Sequence, residues 1–207
     1  MVRDPHPVKN LNTRLQIRPL FEDSQLRICA RVGLVNNAND AFAWALLPLL
    51  LIQADLTMPQ IAVVAATYPI VWGVLQLFTG PLSDRIGRRI PIGAGMLVQA
   101  AALSSFSLTQ QLAPALIAAA VLGIGTALAY PALIAAAVDM APEDRRPSAL
   151  GFFRMWRDAG YVAGALVFGS VVDLWGLPAA AAAAALVTGL SGVDASLNLR
   201  QDIQATG

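Results

Sequence analysis

The chain has 207 residues, 57% of them hydrophobic and only 13% charged, with a net charge of +1 and a single cysteine. A soluble domain carries about 25% charged residues, so the deficit argues for a membrane protein. With no dense basic tract interleaved with aromatics, no nucleic-acid partner is expected. Cys29 alone excludes an intrachain disulfide and a cysteine zinc cluster. His6 is the only histidine, which removes histidine triads and histidine metal sites, so neither an enzyme, a metal nor a cofactor is expected.

Residues 1–31 hold Arg3, Asp4, His6, Lys9, Arg14 and Arg18. They lack the apolar centre of a signal peptide and read as a basic cytoplasmic segment. Residues 32–198 read as an all-α integral membrane bundle. Its six predicted transmembrane helices cover 32–53, 60–80, 90–110, 113–138, 148–172 and 177–198. Each reaches the ~20 residues a helix needs to cross ~30 Å of hydrocarbon. The fifth carries Arg154, Arg157 and Asp158 in its first third. Residues 199–207 read as a cytoplasmic tail.

Every Lys and Arg falls in the N-terminal segment, the second–third gap, the fourth–fifth gap with the start of span five, or the tail. Alternate gaps taking all the positive charge is the positive-inside pattern. Both termini are therefore expected in the cytoplasm of a multi-pass cell-membrane protein. The stretches GPLSDRIG (80–87) and GSVVDLWG (169–176) share Gly-x-x-x-Asp-x-x-Gly, each closing the second span of a three-span set. One copy is basic and faces in; the other lacks arginine and faces out. That fits two inverted three-helix repeats. Coincidence is the competing reading, since glycine and acid are common near helix ends.

The stretch GPLSDRIGRR, Gly80 to Arg89, resembles the loop signature of the major facilitator superfamily (MFS), through Gly80, Leu82, Ser83, Asp84, Arg85, Gly87, Arg88 and Arg89. VDMAPEDRRPSALGFFRMWRDAGY resembles the joint between the fourth and fifth spans of one half of such a transporter. The resemblance covers residues 32–198 and implies a fold of two six-span bundles, of which this chain resembles one, the C-terminal half. Residues 1–31 then resemble the linker between halves. The implied function is secondary transport of a small solute or ion by alternating access, as a transporter or half of one. A second six-helix half is then needed as partner, either a separate chain or another copy in a homodimer, besides the lipid bilayer. The alternative is a transport-incompetent fragment or accessory subunit from a split or truncated gene.

By resemblance, Gly80, Asp84, Arg85, Gly87, Arg88 and Arg89 form a gate. Asp84 is expected to face a helix N-terminus of the opposite bundle, and Arg88 to pair with Asp139. Otherwise the arginines are topology anchors. Asp40 lies ~12 Å into span one at 1.5 Å per residue, where a carboxylate is costly and usually functional. Asn36, Asn37 and Trp44 share its helix face, so the four read as a substrate or ion site, with structural glue as the alternative. Tyr68, Trp72 and Gln76 share a face of span two, read as packing or cavity lining. Tyr130, before Pro131, is a cavity candidate. Pro48, Pro69 and Pro131 are possible kink sites. Arg154 and Asp158 are expected to pair at i, i+4 beside Arg157; all three are candidates for a solute contact near the inner mouth. Gly160, Gly164 and Gly169 read as a close-packing face. Ala165 stands where the family's antiporter motif has proline.

Overall fold

The computed structural model describes residues 18–108 and 111–200; the N-terminal part of the basic segment and most of the tail lie outside the described residues. Those residues are entirely helical apart from short connections. A short α1 (Arg18–Glu22) precedes α2 (Ser24–Ala41), which runs through a π turn (Phe42–Leu46) into α3 (Leu47–Gln53). Then follow α4 (Met58–Ile86), α5 (Arg89–Leu108), α6 (Leu112–Asp139), α7 (Arg146–Trp175) and α8 (Leu177–Asn198).

The helix ends follow local chemistry. Asp23 caps α2 by accepting from the backbone N–H groups of Gln25 at 2.8 Å and Leu26 at 3.0 Å. Thr57 and Gln60 form a capping box at the start of α4, with Pro59 in its first turn. The π turn sits immediately before Pro48. A proline ring collides with the carbonyl four residues back, here that of Trp44, and the wider turn relieves the crowding. Pro69 and Pro131, by contrast, lie inside uninterrupted helices.

Four helices, α4, α5, α6 and α8, are long and apolar enough to cross a membrane. The predicted first span contains the π turn, and the apolar run of α7, a continuous helix, is interrupted by Arg154, Arg157 and Asp158, so neither is among these four. The helix that holds the first predicted span begins before it, at Ser24. The motif placed in a loop is largely helix: α4 continues through Pro81 and Asp84 to Ile86, and only Gly87 and Arg88 separate it from α5.

The tightest pairings are α2 with α7, α4 with α6, and α5 with both α6 and α8. Small residues set these approaches. A Cβ at Gly160 would lie 2.1 Å from the Leu34 carbonyl oxygen, and one at Gly164 2.8 Å from Ala38 Cα. One at Gly123 would lie 2.7 Å from the Tyr68 carbonyl oxygen. Gly169, expected on the same packing face, has open space beside it.

One end of the bundle gathers the charged groups. Arg31 of α2 pairs with Asp194 of α8 at 2.9 Å, and Arg88 with Asp139 at the end of α6 at 3.0 Å. Arg89 donates to the Ser196 carbonyl oxygen at 2.5 Å. The apolar interior falls into two clusters, one toward this end around Val32, Met96, Leu133 and Phe153, the other around Phe42, Leu50, Phe106 and Leu122. Between them, on every long helix except α7, lie buried polar side chains: Asn36, Asn39, Asp40, Tyr68, Gln99, Thr126 and Thr188.

Candidate functional site: a buried polar belt and an aromatic cluster

The belt holds two networks that α2 separates by its faces. Gln99, fully buried on α5, donates to Asn36 Oδ1 at 2.9 Å and accepts from Asn39 Nδ2 at 2.9 Å. Thr188 of α8 donates to Asn39 Oδ1 at 2.9 Å. These bonds lock α2, α5 and α8 together and match the polar groups of Gln99 and Asn39 to one another, as burial requires.

The second network faces α4 and α6. The Tyr68 hydroxyl donates to Asp40 Oδ1 at 2.5 Å and lies 3.3 Å from Thr126 Oγ1. Thr126 in turn donates to the Leu122 carbonyl oxygen at 3.0 Å. An aromatic cluster continues from Tyr68. Trp44 meets it edge-on at 6.2 Å, Trp72 stacks on it at 6.1 Å, and Tyr130 meets Trp72 edge-on at 5.7 Å. The Arg157 guanidinium of α7 lies 4.8 Å from the Tyr130 ring centroid, a cation–π geometry.

Several expectations need correction. Asn36 and Asp40, one turn apart on α2, serve different partners rather than one site: Asn36 turns to Gln99, while the carboxylate of Asp40 is met by Tyr68. Arg154 does not pair with Asp158; Arg157 does, at 2.9 Å, because its guanidinium folds back beside Tyr130 while Arg154 points to the exposed side. Asn37 is buried on α2. Gln76 is half-buried on α4. The sequence reading missed Asn39, Gln99, Thr126 and Thr188. Gln99 alone carried a usable signal, as the single amide within the apolar run MLVQAAAL.

At the charged end, Arg88 is the centre of a tight cluster, with only 12% of its side chain exposed. It bonds Ser83 Oγ at 2.7 Å, Asp139 at 3.0 Å and also Asp84. Gly87 ends α4 with φ +86°, ψ 160°, and Gly176 ends α7 with φ +86°, ψ 172°. A positive φ of this kind favours glycine. Asp84 itself is 62% exposed and pairs with Arg88 within this bundle. Among the described residues no group of acids, histidines and cysteine could hold a metal ion.

The profile of the Major Facilitator Superfamily matches residues 32–202, and the chain belongs to this family of multi-pass membrane proteins. It is 26% identical over 160 residues to an uncharacterised MFS-type transporter of Methanocaldococcus jannaschii, matching 76% of this chain and 41% of that one. The uncharacterised MFS-type transporter YhjO of Bacillus subtilis is 28% identical over 116 residues, which cover 56% of this chain and 28% of that one. Among solved structures, a POT family transporter in complex with a thioalcohol-conjugated peptide superposes with a TM-score of 0.76 at 17% identity, covering 88% of this chain and 39% of that one. A mutant peptide transporter POT in complex with sulfate gives 0.74 at 19% identity, covering 81% of this chain and 36% of that one. The chain thus spans less than half the length of these relatives.

Proposed function

We propose that this chain is one six-span unit of a secondary transporter that moves a small solute across the cell membrane by alternating access, coupled to an ion gradient. The observation that carries the reading is Asp40, a carboxylate buried between the two apolar clusters and hydrogen-bonded to Tyr68. An acid at that depth is costly, and where one is kept it usually serves a solute or ion. Arg157, Tyr130, Trp72 and Trp44 extend the same site.

In this reading α2, the π turn and α3 count as one span and α7 as another. Two inverted three-helix repeats are supported by the matching glycine ends of α4 and α7 and by the pairings: exchanging α2 with α6 and α4 with α7 turns the α2–α7 contact into α6–α4. The domain limits are 32–198 for the bundle, with 1–31 and 199–207 cytoplasmic. The gathering of arginines at one end supports that orientation. Arg88, Asp84 and Asp139, with Gly80, Arg85, Gly87 and Arg89 around them, act as the inner gate. A second six-helix unit, separate or a second copy, supplies the other wall of the site.

The chain covers 41% of the archaeal relative, which favours one further reading, a transport-incompetent fragment or accessory subunit. Uptake by vesicles carrying the chain with its second unit separates the two. Accumulation of a solute above its outside concentration, lost when a proton ionophore collapses the gradient, is expected of the transporter. No accumulation under proton or sodium gradients, across a broad solute panel, contradicts it.

A further inference from the structure

We propose that the corner formed by Trp72, Tyr130 and Arg157 binds the carboxylate of a small planar organic acid. The inference rests on the transport reading in taking this cluster as the solute-facing site; binding itself is measured apart from transport.

Among the described residues, two buried side-chain polar atoms have no hydrogen-bond partner, Trp72 Nε1 and Arg157 Nε. They lie on different helices, yet both belong to side chains packed on the same ring. Trp72 meets Tyr130 edge-on at 5.7 Å, and Arg157 sits over it at 4.8 Å. A buried donor without a partner is unfavourable, and here two of them share one corner. Both are N–H groups that donate only, so a ligand that partners them must bring an acceptor.

The guanidinium narrows its chemistry. Arg157 spends Nη1 on Asp158, while Nε is unspent. A planar guanidinium with a free Nε takes a carboxylate in a paired arrangement. Asp158 is 65% exposed, so solvent screens much of its charge. The carboxylate of Asp40 is engaged by the Tyr68 hydroxyl. Trp72, backed by the buried Tyr68 ring stacked on it 20° apart in plane, and Tyr130, both only half-buried, give the corner aromatic surface suited to a flat apolar body. An amine in place of the acid lacks the acceptor and meets the charge of Arg157.

The test is equilibrium dialysis of radiolabelled benzoate against the full chain in lipid nanodiscs, with empty nanodiscs as the blank and benzamide and benzylamine as competitors. Saturable binding is expected, displaced by unlabelled benzoate, at least tenfold less by benzamide and not by benzylamine. Trp72→Phe keeps the ring and removes the donor; Arg157→Lys keeps the charge and removes Nε. Each should weaken binding about tenfold or more, the scale of a lost charge-assisted hydrogen bond, with helicity and melting as in the parent. Trp175→Phe, on an exposed position, should bind like the parent. If Arg157→Lys fails to fold, Trp72→Phe decides. Absence of saturable binding, equal competition by benzylamine or benzamide, or parental affinity in the folded donor variants overturns the proposal. Benzoate binding without any solute uptake would count against the transport reading alone; uptake without benzoate binding would count against this ligand class alone.

Discussion

Gln99 shows how a single residue organises the interior. Its amide makes one bond to Asn36 and one to Asn39, and Asn39 carries the link on to Thr188. Gln99→Leu fills similar volume but leaves the amides of Asn36 and Asn39 without these partners. Unsatisfied buried polar groups cost about 1–3 kcal/mol each, so we expect a loss of roughly 2 kcal/mol or more. Reversible unfolding in mixed micelles checks it; an unchanged midpoint would mean that water replaces the amide. The sequence showed Asp40 because a charge stands out in an apolar run. It did not show that Asn36 and Asp40 serve different neighbours. They lie one turn apart, and only the positions of α4 and α5 divide the face between them.

Helices report their packing through glycine more than through hydrophobic pattern. Gly160→Ala places a methyl where the Leu34 carbonyl oxygen lies 2.1 Å away. Such overpacking costs about 1–3 kcal/mol, and α2 and α7 must part. Gly169→Ala meets nothing within 4 Å and gains helix propensity of about 0.5–1 kcal/mol. The two variants should therefore shift thermal stability in opposite directions; a loss in both would contradict the placement of the α7 faces. Both glycines looked alike in sequence because spacing identifies a helix face but not the neighbour opposite it. Helix ends were harder still to read. The loop signature put the end of the second span at Gly80, yet α4 runs on through Pro81 to Ile86, and Gly87, with its positive φ, is the actual stop. At that end, Asp84 and Asp139 converge on Arg88. If the cluster is the inner gate, Asp84→Asn should cut solute turnover several-fold at unchanged abundance, and shift cysteine accessibility toward the inward-open form. Parental turnover would leave the arginines as anchors.

Over the whole molecule, the fold family was legible because GPLSDRIGRR and the alternation of basic gaps are long-range patterns that survive uncertainty at single residues. The number of spans was less visible, since a π turn at Phe42–Leu46 lies within the first predicted span and the charges of α7, itself one continuous helix, interrupt its apolar run. If the arginines gathered at one end mark the cytoplasmic side, the topology can be checked directly. A reporter active only outside the membrane should be silent when fused after residue 200 and active when inserted at Asp55. The opposite pattern would invert the topology and remove the gate from the cytoplasmic face.

In the proposed mechanism Asp40, held by Tyr68 in the middle of the bundle, couples solute movement to an ion gradient. The most direct measurement compares parent and Asp40→Asn, each reconstituted with the second six-helix unit in vesicles, for uphill uptake and for one-to-one exchange of the same solute. Asn keeps the size and much of the hydrogen bonding but cannot release a proton. We predict that the variant inserts normally, retains exchange, and loses accumulation against the gradient across the pH range. Accumulation equal to that of the parent would show that Asp40 only joins helices and that coupling lies elsewhere.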